Sequence, residues 1–338
     1  MTRRERVLTA LAHEQPDCAP WNIELTSPEQ MRVCDHLGIA PAAFFDMAGN
    51  HIEKADYNIG GATVRPGFFR DEFGVVWNRS GMDKDIGVID EVLLKEPSLE
   101  GYAFPAPPLD AVRAASAKLL GNGRDTLKLG KIGMTLFERA WSLRGLEDML
   151  MDFHLNQEFV RGLLERILEY NCAIIETACE TEIDGFYFGD DYGQQTGMIM
   201  SPDTWRAFIK PCLARMFSRV KAAGKIVALH SCGNISAILG DLIDIGLDAY
   251  QTVQPEIYDL RTLKREFGSR LTFWGAISTQ QTLPYVAPGE LKRIVRETIG
   301  ILGEGGGYIC APTHRVPDDV PAENIVALIE ALKEQETR

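Results

Sequence analysis

The apolar positions of this chain fall into two regimes. Near the start, Val7, Leu8 and Leu11 recur at helical spacing behind Thr2, a capping residue type. Gln15-Pro16-Asp17 then ends the helix before a strand-like stretch over 19–23. Residues 28–58 read as helical and irregular. Residues 62–94, rich in Gly, Val, Phe and Trp, read as short strands and hairpins that include Asp71-Glu72-Phe73-Gly74-Val75-Val76-Trp77. The Pro-rich segment 104–108 closes this part as a linker or cap edge.

Beyond that point the pattern is regular. Short apolar runs predict strands over 126–129, 185–188, 225–229, 249–253, 271–277 and 308–310. Helical periodicity predicts helices over 146–153, 156–179, 202–223, 235–245, 260–267, 288–302 and 322–334. Alternation of this kind is the signature of parallel βα units. Their number favours an α/β fold of the closed (β/α)8 TIM-barrel type, with N-terminal helical and short-strand additions, over an open doubly wound sheet. The expected organisation is one barrel domain over 1–338, with residues 28–108 supplying insertions or cap elements.

In a barrel, chemistry gathers where strands end, and five predicted strand ends carry polar residues. One leads into Gly189-Asp190-Asp191-Tyr192, one into His230-Ser231-Cys232-Gly233, one into Gln254-Pro255-Glu256. A fourth carries Trp274 and ends in Ser278-Thr279-Gln280, and the last runs Cys310-Ala311-Pro312-Thr313-His314-Arg315. Side chains two apart on a strand share a face, so His230 and Cys232 form a usable ligand pair. Cys310 and His314 on another strand end bring the potential donors to three or four. Imidazole and thiolate donors favour zinc over magnesium or calcium, which take oxygen ligands.

Asp190 and Asp191 are candidates for acid/base work or substrate binding. Ser201 already supplies a cap for the helix that follows, so capping of that helix does not account for the acid pair. Trp21, Asn22 and Glu24 at the end of the first barrel strand, together with Tyr187, Tyr192, Gln254 and Trp274, are candidate substrate-pocket residues. Gly303 through Gly307 precede a strand and so read as a helix C-cap and tight turn, not a phosphate cradle.

Composition narrows the partners. A formal charge of −13 with no basic block argues against nucleic acid and anionic membrane surfaces, and favours a small-molecule ligand or a basic protein partner. The opening Met1-Thr2-Arg3-Arg4-Glu5-Arg6 leads into an amphipathic helix with no signal-peptide pattern, so a cytoplasmic protein is expected. Seven scattered cysteines suggest reduced thiols.

The residues then carry a resemblance. Thr2-x-Arg4-Glu5-Arg6, His13-Glu14-x-Pro16-Asp17, Asp71-Glu72-Phe73-Gly74, Gly189-Asp190-Asp191 with Thr196-Gly197, and Phe208-Ile209-Lys210-Pro211 belong to it. So do His230-Ser231-Cys232-Gly233, Gln254-Pro255, Phe273-Trp274-Gly275-Ala276-Ile277, Gly306-Gly307-Tyr308-Ile309 and Ala311-Pro312-x-His314. Over nearly its whole length the sequence resembles the uroporphyrinogen decarboxylase superfamily, and within it the zinc-dependent methyltransferases that serve corrinoid proteins.

The resemblance implies a (β/α)8 barrel with its active site at the strand C-terminal ends. True porphyrinogen decarboxylases carry an Arg-rich motif near the first strand, where this chain reads Trp21-Asn22-Ile23-Glu24. The methyltransferase branch carries a His-x-Cys pair and a later cysteine as zinc ligands. His230 and Cys232 match the pair. For the third ligand, local Ala-Pro-x context points to His314 and spacing to Cys310.

The implied activity is transfer of a methyl group between a small O-, N- or S-methyl compound and the cobalt of a separate corrinoid protein, with zinc as cofactor. O-demethylation is one form of it, with Asp190 or Asp191 protonating the departing oxygen. A homodimer is compatible with the resemblance. The rival expectations are a metal-independent decarboxylase of a small carboxylate and a non-catalytic zinc- or ligand-binding barrel.

Overall fold

The computed structural model describes residues 1–81 and 87–337. Seven parallel strands form one curled sheet in the order β1 (Ile52–Asp56), β6 (Leu127–Ile132), β7 (Gly185–Gly189), β10 (Ile226–His230), β11 (Ala249–Thr252), β12 (Thr272–Ile277) and β13 (Tyr308–Pro312). Between them lie the antiparallel sheet of β2 (Ala62–Arg65), β3 (Phe68–Arg70), β4 (Val76–Asn78) and β5 (Val88–Ile89), and the ribbon of β8 (Gly193–Gln194) and β9 (Gly197–Met198).

The first barrel strand is irregular and closes the circle. Asn22 N–H donates to Cys310 O at 3.0 Å and Cys310 N–H to Pro20 O at 2.8 Å, which ties residues 20–22 to β13. On the other side His51 N–H donates to Trp21 O at 3.0 Å, just before β1. Further along, the Asn50 side chain replaces the ladder, accepting from Ile23 N–H and donating to Ile23 O, both at 2.8 Å. A buried carboxamide thus supplies one acceptor and one donor where two irregular backbones cannot pair.

Strand parity then sorts the side chains. Ile52, Leu127, Leu129, Tyr187, Ala228, Ala249, Trp274, Ile309 and Ala311 form one cluster in the barrel interior, joined by Val7 of the first helix, Arg3–Leu11, at its N-terminal end. Their strand neighbours, Phe186, Phe188, Leu229, Phe273, Tyr308 and Cys310 among them, belong to the larger core beneath the helices. Thr2 caps the first helix through a reciprocal box with Glu5, and Ser201 caps the helix Pro202–Phe208.

Several expectations shift. The predicted helix over 202–223 is two, Pro202–Phe208 and Lys210–Ala222, because Pro211 lacks an N–H and restarts the chain in a fresh first turn. The predicted helix over 235–245 is a 3-10 turn, Ser236–Ile238, followed by Leu239–Asp244. Within 28–58 the structure holds β1, a full barrel strand, and the Pro-rich segment leads into a helix, Leu109–Leu120. The predicted hairpins over 62–94 form β2 to β5, with residues 82–86 outside the described part. Gly303 caps the helix Pro288–Leu302. Gly306 follows at a φ of 85°, where a Cβ would lie 2.2 Å from Glu14 O. No helix among the described residues is long and apolar enough to cross a membrane.

One buried group makes stability depend on pH. His51 is fully buried against Trp21, with ring centroids 4.2 Å apart, and burial holds its imidazole down at about 3. Between about 6.5 and about 3 the unfolded chain therefore binds a proton that the folded chain refuses. Stability from this residue is complete above that window and falls as pH drops through it, by at most about 1.4 kcal/mol per pH unit. Thermal melts of wild type and His51→Phe across the window are expected to show the shallower acid loss in the variant; equal slopes would refute this.

Candidate functional site

The C-terminal end of β10 is held from three sides. Its last residue is His230, and the Ser231 hydroxyl behind it accepts from Tyr192 N–H at 3.0 Å. Cys232 N–H donates to Asp191 Oδ1 and Gly233 N–H to Gln254 Oε1, both at 2.8 Å. Gly233 adopts a φ of 77° and packs on the β8 backbone, where a Cβ would lie 2.1 Å from Gly193 C. Only glycine permits that close approach.

The loop so fixed brings His230 Nε2 to 3.5 Å from Cys232 Sγ. His314, two residues beyond β13, completes a group whose donor atoms all lie within 4.8 Å of one another. The tautomer of His230 follows from its neighbours. Gln251 donates through Nε2 to Thr313 O at 3.3 Å, which turns its Oε1 toward His230 Nδ1 and the Tyr187 hydroxyl. Nδ1 therefore carries the proton, and the Nε2 lone pair faces Cys232. Burial holds the His230 imidazole below its usual pKa and so in its neutral, ligating form. Burial and the nearby Asp191 charge push the Cys232 thiol up. Thiolate formation there calls for a cation, and an imidazole, thiol, imidazole set of this spacing fits zinc.

A cavity of about 220 Å³ opens over His230 and His314. Of the residues singled out in the sequence, Asn22, Glu24, Tyr187, Asp191, His230, Trp274 and His314 line it. Cys232 and Gln254 face a neighbouring cavity that also touches His314.

Four residues do not reach either space. Cys310 sits at an outward position of β13, fully buried, and packs with Tyr308 beneath the helices; burial pushes its thiol up to about 12. Trp21 likewise points outward, its indole N–H donating to Ala48 O at 2.9 Å. Asp190 is fully buried and accepts from the N–H groups of Leu136, Phe137 and Glu138 at 3.1, 2.9 and 2.7 Å. It caps a helix, Phe137–Arg144, more than fifty residues away in sequence. Tyr192 serves the same cap, its hydroxyl donating to Asp190 Oδ2 at 2.8 Å. The structure thus places these four in packing and capping positions, away from both cavities.

The structure adds Lys54, Lys131, Met134, Glu138, Gln251 and Arg315 to the cavity wall. Lys54 Nζ lies 2.5 Å from Glu24 Oε1 and 4.1 Å from the centroid of the Tyr187 ring. Burial opposes ionisation of Glu24, but the Lys54 ammonium outweighs it, with Arg315 and Lys131 adding, and the carboxyl is held at about 2. Glu138 shows the opposite balance. Burial and the charges of Asp191 and Asp190 push its carboxyl well above the usual range.

The family model described as uroporphyrinogen decarboxylase (URO-D) matches residues 125–335. The chain belongs to the uroporphyrinogen decarboxylase family. Within it, the matching curated relatives are methyltransferases. Methylcobamide:CoM methyltransferase MtaA of Methanosarcina barkeri is 35% identical over 136 residues, and its counterpart from strain Fusaro is 32% identical over the same length. These matches cover 40% of this chain and 38% of each relative, well under half of their length. A methyltransferase structure from Methanosarcina mazei superposes over 99% of both chains with a TM-score of 0.74 at 21% identity, the same barrel architecture throughout.

Proposed function

We propose that this chain is a zinc-dependent methyltransferase that moves a methyl group between a small methylated compound and the cobalt of a separate corrinoid protein. The observation that carries the reading is the convergence of one donor atom each from His230, Cys232 and His314 within 4.8 Å of one another, where His230 and His314 line a cavity. The methylcobamide:CoM methyltransferase relatives support the reaction class.

His230, Cys232 and His314 would hold the metal, and zinc there would supply Lewis acidity to the heteroatom that gives up or receives the methyl group. The chain's own residues do the rest. Gln251 and Tyr187 orient the His230 ring. Asp191 fixes the Cys232 backbone and stands 3.6 Å from His230 Nε2. Glu138 stands at the cavity wall with its carboxyl shifted upward, the direction that suits a group placed to protonate a departing oxygen or nitrogen. Tyr187 and Trp274, edge to face at 5.3 Å, form an apolar wall that limits water.

The test is anaerobic mixing of the zinc-loaded protein with cob(I)alamin and methoxy, methylamino or methylthio compounds, followed by absorbance at the cobalt bands. Methylcobalamin formation that requires Cys232 is expected; no conversion with any of the three donor classes contradicts the reading. A second expectation concerns Gln251. Replacing it by leucine frees the His230 ring and should weaken zinc binding by roughly 10- to 100-fold, measured by competition with a chromogenic chelator. Unchanged affinity would remove Gln251 from the orienting role.

A further inference from the structure

The cavity shared by Cys232, Gln254 and His314 has a volume of about 540 Å³, and Thr279 and Thr313 line it as well. Gln254 reaches it against the alternation of its strand. On β11, Ala249 and Gln251 face the barrel interior and Tyr250 the outer core. Continued regularly, the strand would turn Val253 inward and Gln254 away from the mouth. Instead Val253 takes a φ of 54° and packs, fully buried, in the outer core, and Gln254 lines the cavity. A left-handed backbone is costly for a β-branched residue and persists only where the surrounding fold imposes it, commonly at functional sites.

The Gln254 carboxamide is fixed in one orientation. Gly233 N–H donates to its Oε1 at 2.8 Å, so the oxygen is turned to the backbone of the Cys232 loop and Nε2 is left over. Gln254 is 5% exposed, and its Nε2 has no partner among the described residues. That nitrogen is not sealed from solvent, which makes it a donor at the cavity wall. Thr279 and Thr313 add a second donor. Their hydroxyls bond each other at 3.0 Å, and Thr313 Oγ1 also accepts from Thr279 N–H at 3.2 Å. Two hydroxyls with one bond between them leave one O–H hydrogen over, and no acceptor among the described residues takes it. Apart from the metal-site pair, the charged residues lining the cavity are one of each sign, Arg315 and Asp319.

We propose that this cavity is a recognition site for a carbonyl oxygen, which accepts from Gln254 Nε2 and from the spare hydroxyl of the Thr279 and Thr313 pair, beside Cys232 and His314. A carbonyl oxygen has two lone pairs for those two donors. It belongs either to the methylated compound itself or to a carboxamide arm at the edge of the corrinoid. The inference rests on the methyl-transfer reading for these two sources. Binding is measured without turnover, with and without zinc, so either can fail alone.

The experiment is calorimetric titration of the full-length protein, zinc-free and zinc-loaded, with three probes. They are methylthioacetamide, isobutyl methyl sulfide, which has a similar shape and no carbonyl, and methylcobalamin. Gln254→Glu keeps an acceptor for Gly233 N–H and removes the donor. It should weaken the carbonyl ligand at least about tenfold, with the circular dichroism spectrum and zinc content unchanged and isobutyl methyl sulfide unaffected. Thr279→Val combined with Thr313→Val should weaken the same ligand. The probe that loses affinity, methylthioacetamide or methylcobalamin, identifies the source of the carbonyl. A merely structural Gln254 would change zinc content or shift both sulfides alike. That result, no binding of either carbonyl probe, or affinities intact in Gln254→Glu would overturn the inference and leave the cavity to water.

Discussion

Replacing Cys232 by serine should strip the protein of bound zinc and of methyl transfer together, while Cys310→Ser should leave both near wild type. The contrast comes from the geometry of two thiols that spacing alone cannot separate. Cys232 Sγ lies 3.5 Å from His230 Nε2 and belongs to the group completed by His314. Cys310 faces the helices, fully buried in the outer core. Losing one of three protein ligands, and the one that carries negative charge when bound, removes most of the affinity of a zinc site. Metal analysis of the two variants beside His230→Ala and His314→Ala, all purified with zinc present, reads this directly. Zinc retained by Cys232→Ser and lost by Cys310→Ser would reverse the ligand assignment.

The largest expected effect on stability lies outside the cavity, at Arg139. Its side chain is 2% exposed and bridges Asp71 at 2.5 Å and Glu72 at 2.9 Å, themselves 7% and 6% exposed. Asp71 also accepts from Phe73 N–H, Val75 N–H and the Trp77 indole, so one carboxylate shapes the turn between β3 and β4 and docks it on the helix Phe137–Arg144. Arg139→Met would leave two buried carboxylates without their cation and should cost about 3–5 kcal/mol. Arg139→Lys should recover only part, because one ammonium cannot replace a guanidinium fork on two partners. Urea unfolding measures both. A loss below about 0.5 kcal/mol for Arg139→Met would show that the network does not hold this part of the fold. Since Glu138 is the neighbouring residue, slower methyl transfer in Arg139→Lys is expected to accompany the instability.

What the sequence reveals and conceals here has physical causes. The strands after residue 125 are apolar runs because both faces of a barrel strand are buried, which makes their existence plain and their facing ambiguous. Tyr308-Ile309-Cys310 is apolar throughout, so nothing in it says that Ile309 looks inward and Cys310 outward. Spacing points to Cys310 and local context to His314, and for that reason nothing in the sequence decides between them. β1 carries little strand signal because Ile52-Glu53-Lys54-Ala55-Asp56 has only two apolar residues, and Lys54 lies within it. The helix Phe137–Arg144 has no cap in its own neighbourhood; its cap is Asp190, supplied by another strand end. Glu138 was hidden with the helix, and Asp190, whose partners lie far off in sequence, looked free for chemistry. His230, Cys232 and His314 were legible because soft donors at strand ends are rare and the barrel gathers strand ends in one place.

The most direct measurement is zinc-edge X-ray absorption on the metal-loaded protein in the presence and absence of a methylthio compound. One sulfur at about 2.3 Å with two imidazole nitrogens and a lighter exchangeable donor, the last altered on addition of the compound, is the expected result. Two protein sulfurs in the resting spectrum, or a four-ligand protein shell that no compound disturbs, would contradict an open His230, Cys232, His314 site.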